Sequence, residues 1–565
     1  MGDWVSDSSV ITEGPRGQLA HTDVYEQSER LRCRFDTIRP GVWCLVGNGL
    51  SNQTFVEGPD GIIAVDTGES VEEMSAALDE LASVTDRPVV AVICTHFHYI
   101  GGTAAVFERF GEVPVYGHER IAMNLSRVSS LVAPAYVRGL AQKFATTLPV
   151  DGPDGVVNVG LGLYYRNPKH QPSTPGSRPV THPFRGGEVL TIAGLEVHVD
   201  HAPSDSDDSV TLWFPALGTC VQNIIWPLIF NVYAIRGEEY RDPLVLLPGI
   251  DRVLALEPEF MVCTHGPALV GRDEIRRRGT RYRDVIQLMW DQTVRLMNRG
   301  HSMDEIAHLV ELPPGSDDDY YTTEFYGLVE HHVRQIYTGL RGFFDDDPGK
   351  LLPLEPHDRA HRLIEGFGGR DVVRSRVTSA LAEGDLRWAL EMSSWLLWSH
   401  DSNTDDRELG ALVLRQIAYR TRAANIRNWC LTKARDLDGS YDMSRFRRHR
   451  LSENQIKNLG VAKSIDLMRV MVDPSRAIGL DVHIAVDVGS ESAGLHIRNC
   501  VAVVTDGRGA TSTMTTSLDT WARLITGASD VKGEVDSGGV VINGDVNDVA
   551  RVLDVFDLPG RNGAS

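Results

Sequence analysis

The chain has 565 residues, more than one hydrophobic core can hold, so we expect roughly three or four domains. Its formal net charge of −21 would repel a polyanion, and we expect no nucleic-acid partner. The start lacks a basic region followed by an apolar segment, and no run of about 18 apolar residues occurs. The sequence therefore predicts neither a secretory signal nor a membrane span.

Changes in the hydrophobic and polar pattern along the chain predict the domain order. Residues 1–30 are polar and without periodicity, and we interpret them as a polar N-terminal arm. Residues 31–279 alternate short apolar strands with amphipathic helices such as 71–84, which indicates a layered α/β domain. Residues 280–437 show helical spacing throughout and predict an all-α domain. A basic linker, 438–450, precedes a small α+β domain over 451–565.

Seven cysteines are scattered along the chain and form no CxxC pair. An odd number of unclustered cysteines does not suit a disulfide framework or a cysteine zinc site. We expect reduced thiols and a cytoplasmic location.

The stretch C-T-H-F-H-Y-I-G-G-T, from Cys94 to Thr103, follows a predicted strand over 89–94. Alternate strand residues point the same way, so His96 and His98 could bind one metal ion together. Such a pair alone is also typical of surface or structural histidines. Two other strand ends bring further ligand types: the segment 201–209 contains Asp205, Asp207 and Asp208, and M-V-C-T-H-G ends at His265 and Gly266. Ligands that converge from distant strand ends indicate a metal site.

These motifs resemble those of the metallo-β-lactamase superfamily and, within it, the alkylsulfatase family. The match includes D-T-G at 66–68, T-H-F-H-Y-I-G-G-T, and T-H-G at 264–266. The helical string D-Q-T-V-R-L-M-N-R-G-H-S-M-D-E-I-A-H-L-V-E-L-P-P resembles the family's dimerisation domain. The resemblance covers about residues 34–558. It implies an αββα metallo-β-lactamase sandwich, an all-α dimerisation domain that forms a homodimer, and a small α+β sterol-carrier-like domain.

The second motif departs from the family pattern. The family has an aspartate and a third histidine where Tyr99 and Ile100 run straight into two glycines. Gln222 stands where the family has a bridging carboxylate, and a neutral amide cannot offset the repulsion between two dications. The resemblance with these departures implies one divalent metal ion rather than two, with zinc favoured over iron.

The ligands implied by the resemblance are His96, His98, Asp205 and His265. Asp207 and Asp208 remain alternatives to Asp205 if the loop is shifted. A site without metal, in which hydrogen bonds satisfy the histidines, also remains open.

The segment F-N-V-Y-A-I-R-G resembles the family's N-L-Y-T-L-R-G, whose asparagine and arginine help to hold the sulfate group. This resemblance implies catalytic roles for Asn231 and Arg236, and more distantly for Tyr326. A guanidinium offers two parallel N–H donors to a tetrahedral anion, although an ion pair with a structural carboxylate would explain Arg236 equally well. His265 is a metal ligand or the general acid to the leaving alkoxide.

We therefore expect a metal-dependent hydrolase of the alkylsulfatase type that acts on a small amphiphile with an anionic, sulfate-like ester. Two alternatives stay open. One is a mononuclear non-haem iron enzyme of a specialised pathway on the same fold. The other is a catalytically inactive dimeric protein that binds lipid-like ligands.

Overall fold

The computed structural model describes residues 7–128, 131–237, 240–449 and 451–558. The chain forms two compact units. The first comprises Met1–Arg127 and Arg138–Met443, and the second comprises Val128–Val137 and Ser444–Ser565. All the candidate site residues lie in the first unit.

Regular structure extends into the segment that we expect to be a polar arm. Strands β1 (Ile11–Glu13) and β2 (Leu19–His21) pair antiparallel, and helix α1 (Thr22–Arg30) follows at once. The His21 side chain accepts a hydrogen bond from the Asp23 amide and so begins the helix. Few apolar residues anchor this segment, among them Ala20 and Val24, which are buried. So sparse a pattern does not show as a periodicity in the sequence.

Two β-sheets form the centre of the first unit. Seven strands make the first sheet in chain order, namely β3 (Arg34–Arg39), β4 (Val42–Val46), β5 (Gln53–Gly58), β6 (Gly61–Val65), β7 (Val89–Ile93), β8 (Val115–His118) and β9 (His182–Phe184). Six strands make the second sheet, also in chain order, namely β10 (Val189–Ile192), β11 (Leu195–His201), β12 (Val210–Phe214), β13 (Thr219–Gln222), β14 (Phe260–Cys263) and β15 (Leu269–Val270). Strands β6 to β9 are parallel, as are β13 and β14.

The two sheets pack face to face, and helices cover their outer faces. Buried side chains of both sheets share one apolar cluster, for example Val65 and Val199. Helix side chains such as Met74 cover the first sheet, and others such as Ile250 cover the second. The helices in this part of the chain are α2 (Val71–Ala82), α3 (Thr103–Phe110), α4 (Ile121–Val128), α5 (Ala133–Lys143), α6 (Pro243–Ala255) and α7 (Arg272–Met297). Helix α5 belongs to the second unit as far as Val137 and to the first unit from Arg138 onward. This is the αββα sandwich that we expect.

The rest of the first unit is helical. Its helices are α8 (Met303–Leu309), α9 (Val329–Arg341), α10 (Pro348–Leu351), α11 (Pro356–Gly366), α12 (Arg370–Glu383), α13 (Leu386–Trp398), α14 (Thr404–Arg420) and α15 (Ala424–Leu437). The pattern of residues 407–437 alone predicts one continuous helix, whereas the structure has two helices separated by residues 421–423. There the Thr421 hydroxyl accepts a hydrogen bond from the Ala423 amide and turns the chain.

The second unit is an α+β domain with its own core. Its elements are α16 (Glu453–Met468), β16 (Asp481–Val488), β17 (Glu491–Arg498), β18 (Val501–Thr505), β19 (Ser512–Thr516), α17 (Leu518–Thr526), α18 (Val531–Asp536), β20 (Val540–Asn543) and α19 (Val546–Asp554). The strand order is β18-β17-β16-β19-β20. Trp521 is fully buried, and its indole N–H donates to the Ser464 hydroxyl at 2.8 Å. In neither unit does a described helix contain an apolar stretch that would cross a bilayer.

Candidate active site

Two histidines meet one carboxylate at the edge of the first sheet. Strand β7 ends at Ile93, and residues Phe97–Tyr99 form a single 3-10 turn. The turn, rather than strand alternation, brings the two imidazoles together. The Asp205 Oδ2 atom lies 3.5 Å from His96 Nε2 and 3.2 Å from His98 Nδ1.

This group fits a divalent metal ion. The ligand atoms of His96, His98 and Asp205 all lie within 4.8 Å of one another. His96 is fully buried, and its Nε2 has no hydrogen-bond partner in the described structure. Leaving such a nitrogen unsatisfied costs free energy, and a bound cation would remove that cost. Two imidazoles and one carboxylate are a donor set for zinc or for iron(II).

The protonation states of two of these ligands suit a metal. Burial lowers the pKa of His98 to about 4, so its imidazole is neutral near pH 7. Burial opposes ionisation of Asp205, but the neighbouring imidazoles of His96 and His98 outweigh it and hold the pKa of this carboxyl well below its usual range. Neutral imidazole and ionised carboxylate are the forms that bind metal ions.

A hydrogen-bonded chain behind His96 sets its tautomer. Asp66 accepts the Thr95 amide at 2.8 Å and the Thr95 hydroxyl at 2.7 Å. The single hydroxyl proton is thereby used, so Thr95 Oγ1 can only accept from His96 Nδ1 at 2.9 Å, while the Asn223 amide nitrogen, 3.3 Å from the same Nδ1, can only donate to it. The shorter contact favours the proton on Nδ1. His96 Nε2 then faces Asp205, and although burial lowers the pKa of His96, the charge of Asp205 outweighs it and raises that pKa, so a cation at Nε2, whether a proton or a metal ion, is favoured there. Partners of this kind orient metal ligands.

Asn223, rather than Gln222, faces the candidate metal group. The Asn223 amide donates to Asp205 Oδ1 at 2.8 Å. The Gln222 side chain turns away and bonds to the backbone of Ile224 and Ile225, so it shapes the turn after β13. Sequence reasoning missed Asn223 because the family motif drew attention to position 222.

The other two carboxylates of the third motif have structural partners. Asp207 accepts from Arg120 at 2.9 Å and from Asn124 at 2.7 Å. Asp208 accepts from the Phe97 amide at 3.1 Å, which ties its loop to the histidine turn. Of the three aspartates, the structure places Asp205 with the histidines.

His265 lies beside this group and not within it. Its Nδ1 is 3.0 Å from the Leu50 carbonyl oxygen, and its Nε2 is 3.5 Å from the Tyr99 hydroxyl. Burial lowers the pKa of His265 to about 4. Tyr99 is therefore the side chain that lies next to His265 Nε2.

Asn231, Arg236 and Tyr326 lie in one neighbourhood, which we call the wall. Tyr326 is buried with its ring centroid 6.2 Å from that of Trp226, which is itself 5.4 Å from His265. Burial, and more weakly the Arg236 charge, lower the pKa of His98, so the guanidinium lies within electrostatic range of that histidine. The structure thus brings the predicted substrate residues near the candidate metal group.

Two cationic residues of this wall were not anticipated. Lys143 is only 1% exposed, with its Nζ 4.4 Å from the Tyr326 ring centroid. Arg241 donates to the backbone oxygens of Asn231 at 2.9 Å and of Asp205 at 3.3 Å, and so links the wall to the metal group. A lysine at the end of a helix carries no signal of burial in the sequence.

Family comparisons agree with this architecture. Residues 46–221 match the metallo-beta-lactamase superfamily, residues 302–440 match alkyl sulfatase dimerisation, and residues 450–562 match alkyl sulfatase C-terminal. A linear primary-alkylsulfatase of Pseudomonas sp. is 32% identical over 523 residues, which are 89% of this chain and 98% of that protein. The alkyl/aryl-sulfatase BDS1 of Saccharomyces cerevisiae is 25% identical and covers 92% of this chain and 82% of its own length.

The fold is also that of a solved structure. The stereoselective inverting sec-alkylsulfatase Pisa1 from Pseudomonas sp. superposes with a TM-score of 0.81 at 23% identity, over 95% of this chain and 87% of that one. The match extends through the sandwich, the helical region and the C-terminal domain. The chain belongs to the alkylsulfatase family of the metallo-β-lactamase superfamily, whose members are sulfuric ester hydrolases.

Proposed function

We propose that this enzyme hydrolyses the sulfate ester of a small amphiphile and uses one divalent metal ion. The observation that carries the proposal is the group His96, His98 and Asp205, with an unpartnered Nε2 on His96. The named relatives act on alkyl or aryl sulfates. When bound, the metal would acidify a water or polarise the ester oxygen as a Lewis acid.

A single metal is supported by what surrounds His265. In the described structure its two ring nitrogens face the Leu50 carbonyl and the Tyr99 hydroxyl. Gln222 brings no carboxylate to bridge a second cation and is committed to the turn after β13. We favour zinc, because tetrahedral N/O sites with one open position are typical of zinc hydrolases.

The anionic head of the ester would lie against Asn231 and Arg236. An amide and a planar guanidinium supply several N–H donors to the oxygens of a tetrahedral anion. The Tyr326 ring, which lies beside Trp226, would contact the ester from that side. These residues hold and orient the ester, while Arg241 holds the backbone of Asn231 in place.

We assign Tyr99 and His265 as the pair that handles the proton of the leaving alcohol. Their side chains pack edge to face, with ring centroids 5.5 Å apart, and the Tyr99 ring also lies 4.9 Å from that of His96. At rest the one proton of the Tyr99 hydroxyl points to His265 Nε2. During hydrolysis that proton would pass to the leaving alkoxide oxygen, and the attacking water would return a proton to the tyrosinate.

The test is sulfate release by the full-length protein. The purified chain, stripped of metal and reloaded with zinc, should release inorganic sulfate from decyl sulfate, measured by ion chromatography. His96→Ala should abolish both metal retention and sulfate release. The matched control is His198→Ala, an exposed histidine of β11 that pairs with Glu196 and should leave both unchanged. Zinc-loaded protein without sulfate release would overturn the proposal.

A second candidate rests on the same ligand set. Two histidines and one carboxylate also hold iron(II) in mononuclear oxygenases, with open positions for other ligands. Iron(II) that remains bound under anaerobic purification, together with oxygen consumption in the presence of an amphiphile, would favour this reading. Zinc at one equivalent with sulfate release would exclude it.

We also propose that the enzyme is a homodimer. Residues 302–440 match a dimerisation family. Within them, Phe343 and Leu352 are 80% and 87% exposed, and Leu351 and Leu354 are exposed nearby. A second copy could cover such an apolar patch. Light scattering after size exclusion should give twice the chain mass of 62.3 kDa, and a single chain mass would contradict it.

A further inference from the structure

Lys143 is a buried basic residue that the assigned chemistry does not use. It ends helix α5, and its side chain is 1% exposed. Among the described residues, no carboxylate lies within ion-pair distance of its ammonium; the nearest negative influence on it is the more distant Asp205. The negative end of the helix dipole offsets part of the charge, but only by about half a unit. A buried charge without a partner is unfavourable, so the Lys143 amine is stabilised in its charged form only when an anion lies beside it.

The surroundings of Lys143 are those of the predicted substrate wall. Its Nζ lies 4.4 Å from the ring centroid of Tyr326 and 5.3 Å from that of Phe144. The Asn231 amide satisfies its neighbours when its oxygen accepts from Lys143 Nζ at 3.3 Å and its nitrogen donates to the Tyr233 carbonyl. The two residues expected to meet the ester, Asn231 and Tyr326, are therefore direct neighbours of the ammonium.

Close helix packing brings Lys143 to Arg236. Gly139 lies one turn before Lys143 on α5, and a Cβ at Gly139 would stand 2.7 Å from the Cα atom of Arg236. Glycine thus allows the helix to approach the segment that carries Arg236. Burial first, and then the charges of Arg236 and Arg241, push the pKa of Lys143 well below its usual value. Three basic groups accordingly share a buried wall in which mutual repulsion is relieved by an anion.

We propose that the Lys143 ammonium directly contacts the tetrahedral anionic head of the substrate and is a third positive contact besides those of Arg236 and Asn231. The inference rests on the proposed function, since it places the sulfate group against this wall. Lys143 would strengthen binding of the head group by a charge-assisted hydrogen bond. It is therefore a determinant of specificity for an anionic ester over a neutral one.

Binding of inorganic sulfate tests this without turnover. Zinc-loaded full-length protein is titrated with sodium sulfate at constant ionic strength, by calorimetry and by the shift of the thermal midpoint. Lys143→Met keeps the length of the side chain and removes its charge, and it should weaken sulfate binding by about tenfold to a hundredfold. Lys143→Arg should retain most of the affinity. Lys463→Met, an exposed lysine of the second unit, is the matched control and should bind as the wild type does.

The outcomes separate the roles. If Lys143 only supports the fold, Lys143→Met will lower the thermal midpoint without sulfate and leave the affinity unchanged, which overturns the proposal. Equal losses for sulfate and inorganic phosphate support a general oxyanion contact, while a loss confined to phosphate contradicts the assignment to sulfate. Sulfate binding that depends on Lys143 in a protein without sulfate release would refute the proposed hydrolysis and retain the anion site. Sulfate release by Lys143→Met with an unchanged KM would refute the Lys143 contact and retain the proposed hydrolysis.

Discussion

The Tyr99 hydroxyl lies 3.5 Å from Nε2 of His265, whose Nδ1 is 3.0 Å from the Leu50 carbonyl oxygen. A carbonyl can only accept, so Nδ1 carries the proton of the neutral imidazole, and Nε2 accepts from Tyr99. The nitrogen that would otherwise face a second cation therefore already has a partner.

This pairing predicts that metal content is independent of His265. His265→Ala and Tyr99→Phe should each retain one zinc per chain by mass spectrometry of the digested protein, because neither side chain belongs to the group of His96, His98 and Asp205. Both should slow sulfate release, since the proton-handling pair is broken. Two zinc ions per wild-type chain, or loss of zinc in His265→Ala, would show that His265 is a ligand.

Asn223 gives a prediction about metal affinity. Its amide donates to Asp205 Oδ1 at 2.8 Å and fixes the carboxylate for the histidines. Asn223→Ala should weaken zinc binding by about tenfold to a hundredfold, as is usual for residues that orient a metal ligand. Competition with a chromogenic chelator measures the affinity. The control is Asp207→Asn in the neighbouring loop, where the carboxylate bonds only to Arg120 and Asn124 in the described structure. An equal loss in both variants would mean that disturbance of the loop, and not orientation of Asp205, explains the result.

The sequence predicts the architecture well because hydrophobic periodicity and motif strings are long-range and redundant. The αββα sandwich, the helical region and the α+β domain all appear as expected. The sequence predicts the candidate site less completely than the architecture. His96 and His98 are readable from their spacing, but the turn over Phe97–Tyr99 that brings them together is set by contacts with Asp208, far along the chain.

The missed residues share a physical cause. Lys143 and Asn223 are ordinary polar residues whose roles depend on burial and on partners distant in sequence, which no local pattern encodes. Likewise, the loop turns Asp205, and not Asp207 or Asp208, toward the histidines. Arg120 bonds to the carboxylate of Asp207, and Ser206 bonds to that of Asp208. Such choices belong to tertiary packing.

The raised pKa of the buried Glu69 carboxyl predicts that stability depends on pH. Burial, and then the neighbouring Glu73, raise the pKa of Glu69 to about 8, against the weaker opposing charges of Arg166 and Arg236. The folded state therefore keeps a proton that the unfolded chain releases above about pH 4.5, and this group's contribution to stability falls as pH rises from there to about 8. Glu69→Gln should raise the free energy of unfolding at pH 8.5 by on the order of a few kcal/mol relative to the wild type. The thermal midpoint should rise with it. The gain should vanish near pH 4.5.

The control for Glu69 lies on the next helix. Glu72 is partly exposed, and although burial raises the pKa of this carboxyl, the hydrogen bonds from Thr174 and other donors together lower it. Glu72→Gln should therefore act in the opposite direction, with a slight loss of stability above pH 4.5. Midpoints measured from pH 4.5 to 8.5 give both trends. A gain in Glu69→Gln that does not change with pH would mean that the carboxyl is ionised throughout.

A substitution at Gly102 tests how tightly the chain is packed after the histidine turn. A Cβ at this position would lie 2.1 Å from the Thr67 carbonyl oxygen and 2.5 Å from Met74 Cβ, and the backbone oxygen cannot move without shifting the neighbouring Asp66. Gly102→Ala should therefore cost about 1–3 kcal/mol and lower zinc affinity as well, because Asp66 orients Thr95 behind His96. Gly366→Ala is the control: no atom lies within 4 Å of its added Cβ, and alanine favours the end of helix α11 by up to about 1 kcal/mol. Thermal midpoints and chelator competition distinguish the two. If Gly102→Ala lowers the midpoint but binds zinc as tightly as the wild type, the histidine turn is held independently of the Asp66 segment, and the chain from Asp66 through Thr95 to His96 does not control the metal.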